Sequence, residues 1–383
     1  MIAMILTVMP MYVCFVWCAI FSCDLITKER KRYQWYLWAF MLVAGLLYWG
    51  HSVFFNHNTD ILPVADTIYV ACNLAVYPIY FIYICSLTMR QEHFHLNWLW
   101  LMPSITGCAT VGTCYLLMTD AETELFIEQY LYKGTRVGLS GMVAAQIFFH
   151  DMGKVLFGLM IIPIFIIGRL RIQQFDQLVE TSYADTEDKK LRSLHYMLIA
   201  FMVTSFSSII FNFIGRQRFA DSLWLIAIPA TLFSVLLFAI GYIGHRQQFC
   251  IDDLEADEHL ADDAVPPGCE PSELSLRIQK LMEQEQMFRQ QNLKINDLVK
   301  RLGTNRNYVY MAINREIGIS FAEYINRLRI EYAVKLIDSE PDRHLGQVAE
   351  ESGFSSSSSF YRNFKAFMGV SPKEYQNKLK EKV

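Results

Sequence analysis

About seven apolar runs of roughly 20 residues each, separated by short polar stretches, fill the first 248 residues. No other feature limits the fold as strongly. A helix of about 20 apolar residues crosses the hydrocarbon core of a bilayer and satisfies its own backbone hydrogen bonds there. The runs are Ile2–Ser22, Trp35–Phe55, Asp66–Leu87, Trp98–Met118, Gln146–Gly168, His195–Gly215 and Ser222–Ile243. His150, Asp151 and Lys154 interrupt the start of the fifth, so six and eight spans stay open beside seven. No positive leader precedes the first run and charges follow it instead, which reads as a retained span rather than a cleavable signal.

Lys and Arg gather in alternate connections. Lys28, Arg30, Lys31 and Arg32 follow the first run, Arg90 the third, Arg169, Arg171, Lys189, Lys190 and Arg192 the fifth, and Arg246 the last. The opposite connections hold only Lys133, Arg136, Arg216 and Arg218. The basic side is expected to be cytoplasmic. With seven spans the N-terminus then lies on the outer side of the membrane, and everything after residue 248 lies in the cytoplasm.

Charge divides the chain into three expected domains. Residues 1–248 carry 16 basic and 16 acidic side chains, residues 249–270 carry eight acids and no Lys or Arg, and residues 271–383 carry 18 basic and 14 acidic side chains. The middle stretch, ending in Pro266, Pro267 and Gly268, reads as a solvated acidic linker. A second expectation for it is that the carboxylates from Asp252 to Asp263 lie across the basic face of the last domain.

The nine cysteines sit mostly inside the apolar runs, where Cys packs as a small hydrophobe, and no C-x-x-C pair occurs. His93 and His95 alone do not complete a metal site. No phosphate-binding glycine loop, nucleophile elbow or H-E-x-x-H motif appears. The reading is a non-enzyme with no cofactor and no metal. Ionisable residues in spans are costly and tend to be functional. His51, Asp66, His150, Asp151 and Lys154 are therefore candidates for a ligand pocket, with snorkelling into interfacial water as the alternative.

The last territory has helical periods. Ile295, Leu298, Val299 and Leu302 share one face of a short helix, Gly303 offers a turn, and Asn305 is a good N-cap for a second helix from Arg306 to Ile317. That second helix should bury Val309, Ala312 and Ile313 and present Arg306, Asn307, Tyr310, Met311 and Asn314. Two short helices around a glycine turn make a helix-turn-helix. The pattern then repeats. Leu345, Val348 and Ala349 open a helix, Gly353 is its turn, and Phe360, Phe364, Phe367 and Met368 mark the buried face of the next. The five-serine run from Ser355 to Ser359 is thus no linker. Ser355 or Ser356 caps the helix, and Ser357, Ser358, Tyr361, Arg362 and Lys365 face outward.

The endings match as well. Gly318, Ser320, Glu323, Tyr324, Asn326 and Leu328 recur as Gly369, Ser371, Glu374, Tyr375, Asn377 and Leu379 at one constant offset, and each set contains a Ser-x-x-Glu capping box. Matched positions after two similar helix pairs indicate an internal repeat.

The stretches "NDLVKRLGTNRNYVYMAINREIGISFAEYINRLRIEYAVKLI" and "QVAEESGFSSSSSFYRNFKAFMGVSPKEYQ" carry a family resemblance. Residues from about 272 to 382 resemble the AraC-type DNA-binding domain of bacterial transcription regulators. The layout is similar to membrane-anchored members that carry a multi-span sensor-like domain ahead of it. The resemblance implies two helix-turn-helix units joined by one long helix, with recognition helices at Arg306–Ile317 and Ser357–Met368. This chain departs from many relatives in placing serines where they often have longer polar donors.

The fold class expected is all-α: a transmembrane helical bundle followed by this domain. The DNA-contacting set is Arg306, Asn307, Tyr310, Met311, Ser357, Ser358, Tyr361, Arg362 and Lys365. Arg327, Arg329 and Lys335 on the joining helix read as solvated or ion-paired. Double-stranded DNA, the bilayer and a signal ligand are the expected partners, with a second copy of the chain and RNA polymerase beside them. A one-component membrane regulator is the leading function. A transporter or membrane enzyme with a regulatory DNA-binding tail is the alternative, and release of the tail by proteolysis is a third reading.

Overall fold

The computed structural model describes residues 2–27, 31–90, 95–136, 140–187, 189–214, 223–262 and 271–380. Lys28, Arg30, His93, Arg216, Arg218, Cys269 and the linker end 263–270 lie outside the described residues. Among the described residues no strand forms, and the fold is all-α. An isolated antiparallel bridge pairs Tyr183 with Lys294.

Two compact units divide the chain: residues 1–172 with 192–248, and residues 173–191 with 249–383. Residues 173–191, which by charge and hydropathy run on from the apolar territory, thus pack with the second unit.

The first unit holds α1 (Ile2–Thr27), α2 (Arg32–Phe55), α3 (Leu62–Thr88), α4 (Met102–Leu117), the short α5 (Asp120–Leu125), most of α6 (Gly141–Ser182), α7 (Arg192–Ile214) and α8 (Leu223–Arg246). Among the described residues, five helices are long and apolar enough to cross a membrane: α1, α2, α3, α6 and α8. The run expected at Trp98–Met118 is divided. A 3-10 turn covers His95–Leu101, and Pro103 in its first turn starts the 16-residue α4. At 1.5 Å per residue α4 is about 24 Å long, short of the roughly 30 Å hydrocarbon core. The fifth run, charged near its start, is one helix through His150, Asp151 and Lys154.

Polarity in this unit runs opposite to that of a water-soluble bundle. Asp66, Gln146, His150, Ser205 and Ser234 are buried, while Leu159, Ile162, Trp224, Ile228 and Val235 are exposed. α3 supplies much of the interior, with Tyr80, Phe81, Ile82, Tyr83, Ile84 and Cys85 all buried. Phe201 of α7 packs edge-on against Phe40 and Tyr80 at ring distances of 5.9 and 4.9 Å.

The second unit contains α9 (Ile251–Asp262), α10 (Pro271–Gln284), α11 (Ile295–Leu302), α12 (Arg306–Met311, continuing as a π-helical turn over Ala312–Ile317), α13 (Phe321–Ser339), α14 (Leu345–Glu351), α15 (Ser357–Met368) and α16 (Pro372–Lys380). The expected solvated linker begins instead as helix α9. Ile251 and Leu254 bury one side of it, and Asp252 and Asp253 in its first turn complement the helix dipole.

Two hydrophobic cores share α13. Its first half gives Phe321, Tyr324 and Ile325 to a core with Leu298, Val299, Val309 and Ile313, and its second half gives Ile330, Ala333 and Ile337 to a core with Val348, Phe354, Phe360 and Phe364. At 19 residues, α13 is about 28 Å long. Ala184 of the segment 173–191 is a member of the first core.

Candidate nucleic-acid interface

Each of the two expected recognition helices begins where the sequence supplies a cap. The Asn305 side chain accepts from the Tyr308 amide at 3.1 Å, opening α12. Ser356 accepts from the Ser359 amide at 3.2 Å, so Ser356 is the cap and Ser357 the first residue of α15. The turns ahead differ in tolerance. At Gly353 φ is +90°, and a Cβ would meet the Arg289 carbonyl oxygen at 2.6 Å, so only glycine fits.

The buried faces follow the period over most of their length. Val309, Ala312, Ile313, Phe360 and Phe364 are fully buried. Phe367 and Met368, expected on the buried face of α15, are 39% and 37% exposed. They lie in the last turn, which runs past the core closed by Phe360 and Phe364. On the outer faces Asn307, Tyr310, Ser357, Ser358, Tyr361, Arg362 and Lys365 are exposed, and Arg306, Met311 and Asn314 are half-buried.

Both repeat endings are capped by their serines, and the second closes the full capping box. Ser320 and Ser371 each accept from the amide three residues on, at 3.2 Å, and Ser371 donates its own amide to Glu374 at 2.8 Å. That contact holds the Glu374 carboxyl below the usual carboxylate range.

Within the second unit lies a buried cation. Arg329 of α13 has no exposed side-chain surface. It donates to the Phe288 carbonyl at 2.7 Å, the Gln290 carbonyl at 2.8 Å and the Asp185 carboxylate at 3.1 Å. Burial lowers its pKa and Asp185 opposes the shift. Arg327 instead pairs with Glu331 on the surface at 3.2 Å. Both arginines are ion-paired, as the joining-helix reading expected.

Asp185 belongs to the connection between α6 and α7, and that connection was read from sequence only for its basic residues. Its Ala184 amide donates to the Leu293 carbonyl at 3.0 Å, and Asp185 accepts from the Asn292 amide at 2.9 Å. Asn326 donates to the Ala184 carbonyl at 3.1 Å. Ser182 accepts from Arg306 at 2.6 Å, and Glu187 accepts from Arg362 at 2.8 Å. Two of the expected DNA-contacting cations are thus engaged by one short segment. Its three acids followed by two lysines, from Asp185 to Lys190, mark a charged connection in the sequence but not its partners.

In the first unit the five candidate ligand residues separate. Asp66 accepts from Tyr115 at 2.9 Å and meets His150 Nε2 at 2.6 Å, while His150 Nδ1 lies 2.9 Å from the Gln146 carbonyl. Asp151 accepts from Tyr130 at 2.8 Å and from Lys154 at 3.3 Å, and Arg136 joins it from the side at 2.8 Å. Tyr130 ties the two groups together, its ring 6.0 Å from His150. His51 stands apart. It lines a largely apolar cavity of about 170 Å³ with Phe40, Tyr48, Tyr69, Asn73 and Tyr77, and none of the other four reaches that cavity.

Comparison with known proteins agrees with the geometry of the second unit. Residues 298–378 match the helix-turn-helix domain family. The Msm operon regulatory protein of Streptococcus mutans is 28% identical over 88 residues, 23% of this chain and 31% of that protein. The melibiose operon regulatory protein of Escherichia coli is 34% identical over 86 residues, 22% of this chain and 28% of that protein. The transcriptional regulatory protein HptR of Staphylococcus aureus is 24% identical over 103 residues, 27% of this chain and 40% of that protein. The chain therefore spans less than half the length of these curated relatives. No solved structure matches.

Proposed function

We propose that this chain, whose C-terminal part is an AraC-type helix-turn-helix domain, is a membrane-anchored transcriptional regulator that reads DNA with both helix-turn-helix pairs of that domain at once. The carrying observation is the shared helix α13, which gives buried residues to both cores and so fixes the spacing of α12 and α15. Its length of about 28 Å, with the turns added, suits two recognition helices set one DNA turn apart, roughly 34 Å. The exposed face of α15 offers Arg362 and Lys365 to the groove and the phosphates, and Asn307 on α12 has the donor and acceptor an adenine edge requires.

Membrane anchoring is supported by the inverted polarity of the first unit, with apolar residues outside and paired polar residues within. The Lys/Arg distribution supports an outside N-terminus and a cytoplasmic DNA-binding domain. The cavity at His51 is the place a small, largely apolar signal would enter.

The test maps DNA bound by the full-length chain in cells and repeats the measurement on the mapped sites with R362A and K365A. Arg362→Ala should cost roughly 1–3 kcal/mol at a base-edge contact. Lys365→Ala should weaken all sequences evenly and lower the salt slope by about one unit. Unchanged binding by a folded double variant removes this face from the site. Reporter fusions at Cys250 and Glu128 check orientation, and an external Cys250 would overturn the whole reading.

A further inference from the structure

Residues 182–187 lie against the groups that DNA is proposed to use. The Glu187 carboxylate sits at the N-terminal end of α15, where one oxygen accepts from Arg362 at 2.8 Å and the other from Ser356 and Ser358 at 3.4 and 3.3 Å. A helix N-terminus with hydroxyls and a guanidinium is what a DNA phosphate would meet there. At the first unit of the repeat, Ser182 accepts from Arg306, the first residue of α12. The segment therefore touches the leading end of both recognition helices.

It is also fastened. The Asp185–Arg329 pair is buried, and the Tyr183–Lys294 bridge and the Ala184 amide bond hold the backbone on the domain. The latch itself is weaker than the anchor. Arg362 and Glu187 keep 39% and 34% of their side-chain surface exposed, so either can exchange partners without unfolding anything. Carboxylates from Asp252 to Asp263 were the expected cover for this face; the side chains from Asp257 onward lie outside the described residues, and the carboxylate that pairs with Arg362 is Glu187, from the connection between α6 and α7.

We infer that residues 182–187 are an intramolecular stand-in for DNA: Asp185 anchors the segment to the helix-turn-helix domain, and Glu187 occupies the phosphate position at the start of α15 until DNA displaces it. This rests on the DNA-binding reading above. The domain binds DNA only in its unlatched fraction, and its apparent affinity is reduced by that fraction. Because the segment continues directly from α6, a shift of that helix changes the latch and hence the affinity.

The experiment uses the full chain in phosphatidylethanolamine–phosphatidylglycerol nanodiscs and a 40-base-pair duplex of mixed sequence. Glu187→Gln removes the carboxylate while keeping the shape. A pair this exposed supports an effect of about two- to fivefold, so E187Q should bind the duplex that much more tightly at low salt, with the ratio closing as salt rises. Glu340→Gln, an equal charge change on an exposed residue paired with Arg343, should leave affinity near the wild-type value. In an Arg362→Ala background the E187Q gain should shrink, because the latch has lost its cation. Equal binding by wild type and E187Q overturns the latch and leaves DNA binding standing. A gain matched by E340Q, or undiminished in R362A, also overturns it and assigns the effect to net charge. Failure of every form to bind the duplex overturns the DNA-binding reading, and the latch falls with it.

Discussion

Replacing Asp185 with Ala should destabilise the second unit out of proportion to a residue in a connection between helices. Arg329 is fully buried and Asp185 is its carboxylate partner among the described residues, at 3.1 Å. Breaking a buried pair from one side costs about 3–5 kcal/mol, because the other charge stays buried. The Phe288 and Gln290 carbonyls still accept from Arg329, which pulls the value toward the lower end. The Asn292 amide also loses its acceptor, which adds about 1 kcal/mol. The expected loss is therefore about 3–4 kcal/mol. All seven tryptophans precede residue 225, so tryptophan fluorescence does not report on this unit. Amide hydrogen exchange along α13 does, and the loss corresponds to exchange faster by two to three powers of ten, at about 1.4 kcal/mol for each. The double variant D185A/R329M should lose less than D185A alone, since no charge is then left buried. A loss under about 1 kcal/mol, or a double variant no better than the single, would refute the anchor.

Phe364→Ala should cost about 3–5 kcal/mol by opening a cavity in the second core, read as faster exchange in α15 and α16 with the first core's amides unchanged. Gly353→Ala should destabilise the same region, since both its positive φ and the Arg289 backbone oppose a Cβ, and wild-type exchange rates around α14 would contradict this. Glu374 has a lowered pKa in the folded state, so its contribution is fully present above the ordinary glutamate value of about 4.3 and fades as pH falls through the lowered one. Protection of α16 should therefore drop on acidification in that window, and E374Q should flatten the change.

The repeat was legible because it is local. Caps at Asn305 and Ser356, turns at Gly303 and Gly353 and the buried faces of α12 and α15 all follow from spacing within a dozen residues. Phe367 and Met368 escaped that logic because periodicity tells which side of a helix a residue occupies, not where the core ends. Five of the seven apolar runs were legible as helices long and apolar enough to cross a membrane, but the 3-10 turn at His95–Leu101 was not legible, since hydropathy does not distinguish it from the helix it precedes. Least legible was the role of residues 182–187. Asp185 meets Arg329 across 144 positions and Glu187 meets Arg362 across 175, and no window carries pairings of that range. Their charges looked like an ordinary polar connection because only the fold supplies their partners.

The same long-range pairing bears on whether a freed tail could act alone. Cleavage in the acidic stretch would give a fragment beginning near residue 249 that lacks residues 173–191. Such a fragment loses the Glu187 carboxylate, which on the latch reading favours DNA by exposing Arg362. It also loses Ala184 from the first core and Asp185 from Arg329, and leaves the Leu293 carbonyl and Asn292 amide without their partners in that segment. The second loss is the larger by the magnitudes above, about 3–4 kcal/mol against at most about 1 kcal/mol for an exposed pair. Proteolytic release would thus gain a small increase in affinity at the cost of a less stable domain. Holding the segment in place while only the latch opens keeps the core intact and still changes DNA affinity several-fold. The balance of these two terms favours regulation with the chain whole and the domain tethered at its three covalent crossings, within α6 after residue 172, ahead of α7 after residue 191 and after α8 at residue 248.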